Sequence, residues 1–517
     1  MTVAIFALLS RVLGLLRSTL MASFYGATES QGFADCYAAS FKLPDIVFNL
    51  IVAGLVSVVL VPYFSSFIKS DDDSKQRINE ACTNIINIFF IALIFFNLIL
   101  FVFTPYLVRN FLVPGWTDEV KLTMTITMTR ILLLQVLFMS LSGVLSSYLN
   151  AIEKFFYYSL ALITYNTGII AGIVFFGKWM SIRGVAWGAV LGSFLQFAIQ
   201  FAGAYHNGYR YNFKMPVINK EIGELFLIAL PRVIAIGGEQ FVRFQFVTLG
   251  SFLFTGSIFI FESAENFAMV PYGMIAVSIS ITAFPVMSKL FARNEPEKML
   301  FSLFHSLRTT TYFMLFISVC MVIYRIQIID LLIGYNRFNE NDIRITAEAL
   351  AYFMIGIPFL SLTIITVKYF YAQKIAVIPM IFSIIAAVVT IVTAQIMVPY
   401  LKVSALSLGR SAGYLVQFVL MLALIIFIAV RKKDHIRIPY DQIKQIINII
   451  FAGLILLVCG YFIEKNINFH IAPKLDSLLE GCVGGVILTV LYFIITRLFK
   501  IEDTNRFVSI FYKKRDL

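Results

Sequence analysis

Residues 10–66 read SRVLGLLRSTLMASFYGATESQGFADCYAASFKLPDIVFNLIVAGLVSVVLVPYFSS. They form two long apolar runs joined by a short polar turn. Arg11 and Arg17 lie inside the first run, and Asp35 opens the second. A charge at the centre of a bilayer costs about 3 kcal/mol on insertion scales, so two arginines facing lipid would cost roughly 6 kcal/mol. We therefore expect both guanidinium groups to face a hydrated cavity lined by protein, which is the layout of a membrane carrier.

The composition of the whole chain is that of a polytopic membrane protein. Of its 517 residues 60% are hydrophobic and 14% charged, and the mean hydropathy is +0.87. Soluble domains average about 45–50% apolar and about 25% charged residues. The net charge of +12 does not indicate a nucleic-acid partner, because the basic residues lie in the loops between apolar runs. This distribution is the one that the positive-inside rule predicts.

A membrane span needs about 20 apolar residues, and the chain contains fourteen runs of that kind. They lie at 2–26, 34–68, 79–106, 122–149, 155–177, 184–205, 222–253, 258–288, 303–333, 345–368, 375–398, 403–430, 445–464 and 477–499. The predicted fold class is all-α, with fourteen transmembrane helices in two six-helix lobes plus an appended C-terminal pair. Carriers are often built from two such halves with the substrate site between them.

Polar links place the predicted divisions between these parts. We expect an N-lobe of helices 1–6 at 1–205, a cytoplasmic link at 206–221, a C-lobe of helices 7–12 at 222–430, a link with helices 13–14 at 431–499, and a basic tail at 500–517. Lys and Arg are concentrated in the connections on one side, which predicts that both termini are cytoplasmic. From Ile501 onward basic and aromatic residues alternate, so we expect the tail to lie on the anionic inner leaflet.

The arginines of the first span have two alternative uses. Guanidinium groups bind phosphate oxygens through two parallel hydrogen bonds, so Arg11 and Arg17 predict recognition of a phosphate-bearing head group. The alternative is a structural ion pair with Asp35 or Asp45 on the next helix. The two uses are compatible, since a carboxylate can hold an arginine while the cavity is empty.

Two further groups of charged residues lie in spans seven and eight. Glu239 precedes Arg243 by four residues, a favourable helix pair that either neutralises itself or helps to shape the cavity. Glu262, Glu265 and Asn266 share a face of span eight. These two carboxylates either bind a cation or an amino group, or belong to a solvated helix end.

The remaining residues do not indicate an enzyme. Arg325 and Arg410 stand alone in their spans and are given no role. No P-loop, GxSxG or HExxH pattern is present, and the four histidines are far apart, so neither a metal nor another cofactor is predicted. Uphill transport would then use an ion gradient, the membrane potential or a substrate gradient, and the coupling ion is left open.

Several segments share the pattern of one family of lipid carriers. They are SRVLGLLR (10–17), Asp35 six residues before FKLP (41–44), NLIVAGLVSVVLVPYFSS (49–66), TRILLLQVLFMSLSGVLSSYLNA (129–151), YNTGII (165–170), LPRVIAIGGEQ (230–240), PYGMIAVSISITAFPVMSK (271–289), IIDLLIGYNRF (328–338) and KYFYAQKIAVIP (368–379). Together they resemble MurJ-type lipid II flippases, which belong to the multidrug/oligosaccharidyl-lipid/polysaccharide exporter superfamily. The resemblance covers spans one to twelve.

This resemblance implies a carrier of the bacterial inner membrane with two lobes around a central cationic cavity. Its substrate would be lipid II, the undecaprenyl-diphosphate-linked peptidoglycan precursor, flipped outward by alternating access. Helices 13 and 14 would form a groove for the lipid tail. Arg11, Arg17 and Asp35 match charged cavity positions of the family. The implied partners are lipid II and membrane lipids, with the cell-wall synthesis machinery as a candidate.

The chain also departs from the family pattern. Members carry an arginine pair and a glutamate on helix two, where this chain has Phe48, Asn49 and Ala53, and an arginine on helix eight, where it has Asn266. The missing helix-two arginines favour one alternative to lipid II transport, the flipping of another polyprenyl-diphosphate-linked glycan. Two others also stay open: ion-coupled export of small cations, against which the last helix pair counts, and a structural role in division. The predicted substrate-binding residues are Arg11, Arg17, Asp35, Asn49, Glu239, Arg243 and Asn266.

Overall fold

A computed structural model describes residues 2–50, 59–68, 73–212, 215–431, 439–467, 469 and 473–505. All regular elements in these ranges are helical, which confirms the predicted all-α fold. The chain divides into two compact units. The first comprises residues 1–259 and 335–339, and the second comprises 260–334 and 340–517.

The described helices of the first unit run from α1 to α10. They are α1 Thr2–Tyr25, α2 Phe33–Ser40, α3 Lys42–Phe48, α4 Val61–Ser66, α5 Asp73–Leu107, α6 Glu119–Ala151, α7 Phe155–Ala171, α8 Gly177–Met180, α9 Arg183–His206 and α10 Lys220–Ser251. The next helix begins in the first unit, and the others lie in the second. They are α11 Ser257–Pro271, α12 Val277–Ala292, α13 Pro296–Ile323, α14 Arg325–Ile333, α15 Glu340–Ala372, α16 Val377–Leu401, α17 Ser404–Arg431, α18 Tyr440–Asn466 and α19 Pro473–Leu498.

Eleven helical segments in the described part of the chain are long and apolar enough to cross a membrane. They coincide with predicted spans three to six and eight to fourteen. The first and seventh predicted spans are also helical, as α1 and α10. The second begins as α2 and α3, and its centre, residues 51–58, lies outside the described residues. The total of fourteen spans stays a prediction, because eleven are found among the described residues. The division into two six-helix lobes also stays a prediction, because the two compact units do not test whether the halves repeat.

Prolines accompany two short π-helical turns inside the spans. The turn Tyr272–Ala276 directly follows Pro271 and joins α11 to α12, and the turn Val108–Leu112 follows Pro105 closely. Proline has no N–H group to continue the helical ladder, so a wider turn accommodates the break.

Glycines bring α7 and α9 into backbone contact within the first unit. A Cβ atom added to Gly168 would lie 2.3 Å from the Cα atom of Gly192, and one added to Gly188 would lie 2.5 Å from that of Gly172. No larger side chain fits at these distances. Close approach through small residues is how helices pack where lipid removes the hydrophobic driving force between them.

The C-terminal helices are anchored on α13. Tyr492 of α19 is buried, and its hydroxyl donates a 2.8 Å hydrogen bond to the backbone oxygen of Tyr312. The chain beyond α19 continues into the same contact, since Ile501 and Thr504 are almost completely buried. The prediction that the tail lies on the membrane from Ile501 onward is therefore wrong for residues 501–505. Residues 506–517 lie outside the described residues.

Candidate substrate site

Helix α1, which carries the two predicted arginines, is joined to α7 by hydrogen bonds at Ser10. The side-chain amide of Asn166 donates a 3.1 Å hydrogen bond to the backbone oxygen of Ser10, whose hydroxyl donates a 2.8 Å bond to the oxygen of Leu162. Arg11, next to this anchor, is exposed, whereas Arg17 is half-buried. Asn166 belongs to the YNTGII segment quoted for the family resemblance. The sequence did not predict that its side chain contacts Ser10.

Arg17 shares its surroundings with an acidic residue of the following helices. Arg17 and Asp45 both act electrostatically on the hydroxyl group of Tyr165, which is half-buried on α7. The fold therefore brings an arginine of α1, a carboxylate of α3 and a phenol of α7 together. The ion pair between Asp45 and Arg17 stays a prediction. The sequence reasoning did not identify Tyr165, because a tyrosine in an apolar run carries no pattern of its own.

Asp35 is placed differently from the two arginines. It is 1% exposed, and its two carboxylate oxygens accept hydrogen bonds from the backbone N–H groups of Gly256 (2.6 Å) and Phe259 (2.9 Å). These are the free N–H groups at the beginning of α11, where a negative charge is favourable. Lys121 lies close to the same carboxylate and donates a 2.7 Å hydrogen bond to the hydroxyl of Thr255. Asp35 thus has a structural contact, and its role in substrate binding stays a prediction.

Two other predicted site residues of the first unit have local contacts. The Nε atom of Arg243 lies 3.3 Å from a carboxylate oxygen of Glu239, so the predicted helix pair is confirmed. Both side chains are partly exposed, and pairs of this kind contribute only about 0.3–0.5 kcal/mol. The side-chain amide of Asn49 donates a 2.8 Å hydrogen bond to the backbone oxygen of Asp45.

The charged face of α11 contains a buried ion pair in the second unit. Glu265 lies 3.3 Å from Arg410 of α17, and their side chains are only 7% and 3% exposed. The expectation that Arg410 stands alone is wrong, and so is a solvated helix end at Glu265. Glu262 is half-buried and Asn266 is exposed. No sequence pattern links α11 to α17, because their pairing depends on helix packing alone.

The comparisons with known proteins agree on one family. The family model described as "Lipid II flippase MurJ" matches residues 21–473. A "Probable lipid II flippase MurJ" from Buchnera aphidicola subsp. Schizaphis graminum is 26% identical over 97% of both chains. A "Lipid II flippase MurJ" from Burkholderia cenocepacia is 23% identical over 95% of both chains.

Solved structures show the same fold. An inward closed conformation of a lipid II flippase MurJ superimposes with a TM-score of 0.77 at 22% identity, covering 95% of this chain and 98% of that one. An inward-facing multidrug resistance MATE family transporter of the MOP superfamily gives a TM-score of 0.66 at 15% identity, over 82% of this chain and 96% of that one. The fold of this chain is therefore similar to that of both solved structures.

Proposed function

The chain belongs to the MurJ lipid II flippase family, and on that premise we propose that it moves lipid II from the inner to the outer leaflet of the bacterial inner membrane by alternating access. The observation that carries the proposal is the family match over residues 21–473, which includes most of the described helices. The full-length likeness to curated lipid II flippases supports it. The excess of Lys and Arg in the connections on one side supports the further proposal that both termini are cytoplasmic. As a flippase the protein would act as a transporter and not as an enzyme.

The substrate chemistry indicates which side chains take part. Lipid II carries a diphosphate between its polyprenyl tail and its sugars, and guanidinium groups bind such oxygens best. Arg11 and Arg17 are accessible to differing degrees on α1, and we assign the diphosphate to them. Arg17 and Asp45 both lie near the hydroxyl of Tyr165, and we assign to Asp45 the role of holding Arg17 while the site is empty. Glu239 and Arg243 shape the polar surface on α10.

A second candidate function is favoured by two asparagines. Asn49 and Asn266 occupy positions where the family pattern has arginines, so fewer cations are available for a diphosphate or for acidic groups next to it. A flippase for another polyprenyl-diphosphate-linked glycan fits this weaker positive charge. Asn49 is held by the backbone of α3, whereas Asn266 exposes its amide and could bind a hydroxyl group of a sugar.

Complementation separates these two functions. We expect the protein to restore growth to a bacterial strain depleted of its only lipid II flippase. Failure to restore growth, with the protein shown to be folded and membrane-inserted, would overturn lipid II as substrate and favour the other glycan.

Arginine variants then test the assigned site. Arg11→Ala and Arg17→Ala should lower lipid II exposure by about tenfold or more, because each removes a charge-assisted hydrogen bond of about 1.5–3 kcal/mol. Arg293→Ala, which removes an exposed guanidinium after α12, is the matched control. Wild-type transport by both α1 variants would contradict the site.

A further inference from the structure

The polar link after α9 is held against the N-terminal half of α5, over residues 79–87. Four polar side chains on one face of α5 contact the link or its aromatic residues, and they are Asn79, Thr83, Asn84 and Asn87. Asn84 forms two hydrogen bonds of 2.8 Å with Val217, one to its N–H and one to its carbonyl group. The hydroxyl of Tyr211 donates a 2.8 Å bond to the side chain of Asn87. The described part of the link therefore follows a defined path.

Between this link and α4–α5 lies a cavity of about 740 Å³. Ligand pockets commonly measure about 300–1,000 Å³ and combine aromatic walls with a few fixed polar groups. The lining here includes Tyr63, Arg77, Arg210, Asn212 and Asn219. Neither arginine of α1 is among the lining residues, so the cavity is separate from the site assigned to the diphosphate.

Arg210 is held in a defined orientation at this cavity. Its Nη1 atom donates hydrogen bonds to the backbone oxygens of Tyr205 (2.6 Å) and Tyr209 (2.9 Å), and its guanidinium stacks 4.0 Å from the ring of Tyr205. These bonds use one nitrogen, so Nε and Nη2 keep N–H groups for an anion. Arg77 is a second lining guanidinium and Glu80 a single lining carboxylate, which leaves the lining with a net positive charge.

Besides the guanidinium of Arg210, which can bind an anion, the cavity has side-chain amides that can bind hydroxyl groups. The side chain of Asn212 has no hydrogen-bond partner among the described residues, and it offers both a donor and an acceptor. Asn219 accepts a 3.0 Å hydrogen bond from the N–H of Ile222 through its side-chain oxygen, which leaves its NH₂ group for a ligand. Tyr63 and Phe67 meet edge to face, 5.0 Å apart, and form an aromatic wall.

We propose that this cavity binds a phosphorylated sugar or cyclitol, with the phosphate on Arg210 and the hydroxyl groups on Asn212 and Asn219. Cationic, amide and aromatic groups meet there within a volume that suits one such group. The ligand can come from solution as a sugar phosphate or from the bilayer as a glycolipid or phosphoinositide head group. The proposal does not depend on which lipid the protein flips.

Two binding measurements on the full-length protein distinguish these sources. In phosphatidylcholine nanodiscs, N-acetylglucosamine 1-phosphate is titrated by calorimetry, with N-acetylglucosamine and inorganic phosphate as comparison ligands, and hydrogen exchange is followed over residues 205–219. In a second arm, phosphatidylinositol is added to the nanodiscs and bound lipid is counted by native mass spectrometry. We expect saturable binding in at least one arm, with protection of residues 205–219.

Three variants connect binding to the cavity. Asn212→Asp places a negative charge beside the phosphate without breaking a described hydrogen bond, and it should weaken binding by tenfold or more. Arg210→Gln should do the same, whereas Lys154→Gln, an exposed cation after α6, should bind like the wild type. Absence of binding in both arms would overturn the proposal. Unchanged binding by both cavity variants would overturn the site. Equal affinity for inorganic phosphate alone would overturn the assignment of a sugar.

Discussion

Arg11 and Arg308 lie in apolar helices of the two units, and the fold treats them in opposite ways. The side chain of Arg308 is 0% exposed, and its Nε atom lies 2.8 Å from a carboxylate oxygen of Asp503, with Glu502 also paired to it. Arg11 is exposed on α1. In the second unit a fully buried arginine is paired with two carboxylates of the same unit, whereas the arginine on α1 is exposed.

The contrast separates structural charges from functional ones. A buried arginine with a buried carboxylate stabilises the fold only while both partners are present, because a lone buried charge is costly. A guanidinium that faces a hydrated cavity costs little to keep and little to remove, because it stays solvated. Stability measurements should therefore rank the charged residues in the opposite order to transport measurements.

The largest expected effect on stability is at Arg308. Arg308→Met leaves Asp503 buried without its cation, and breaking a buried pair in this way costs about 3–5 kcal/mol. The free energy of unfolding in detergent should fall by that amount, as measured by denaturant-induced loss of helix. Arg293→Met, an exposed cation, should change it by no more than about 0.5 kcal/mol. Equal stability of the two variants would contradict the structural role of Arg308.

The pair formed by Glu265 and Arg410 should come next. Arg410→Leu should lower the free energy of unfolding by about 3 kcal/mol, since it leaves one carboxylate facing no cation. The double variant Glu265→Leu, Arg410→Leu should recover part of that loss, because it removes both charges. The single variant Glu265→Leu completes the comparison. If the losses of unfolding free energy in the two single variants add up to the loss in the double variant, the side chains do not interact, and Glu265 becomes available for a cation or a substrate.

A smaller effect is expected at Asp35. Asp35→Ala removes the acceptor of two N–H groups at the beginning of α11, and loss of a helix cap costs about 1–2 kcal/mol. Asp35→Asn keeps one acceptor and should cost less. Unfolding and lipid exposure are measured on the same preparations. If Asp35→Asn abolishes transport while preserving stability, Asp35 belongs with the functional charges of α1.

The smallest effect on stability should be at Arg11. Arg11→Gln should change the free energy of unfolding by about 0.5 kcal/mol or less, as surface substitutions usually do. The same variant should lose transport, since it removes the charge assigned to the diphosphate. A destabilisation as large as that of Arg308→Met would show that Arg11 is structural, and the contrast between the units would be lost.

The sequence by itself determined the helical fold, the position of most spans, the family and the local pair of Glu239 and Arg243. The fold, the spans and the local pair depend on periodicity, composition or a spacing of four residues, which helix geometry turns directly into structure. The family depends instead on the resemblance of whole segments such as 10–17 and 230–240.

Only the tertiary structure decided the partners of the other charges. It placed Asp35 at the start of α11, Arg410 beside Glu265, and Asp503 beside Arg308 in a segment that had been expected on the membrane surface. These contacts join residues far apart in the chain, so they depend on which helices pack together and on how deeply each side chain is buried. Nothing in the local sequence encodes either quantity, because the same arginine is compatible with a carboxylate, a ligand or water until its neighbours are in place.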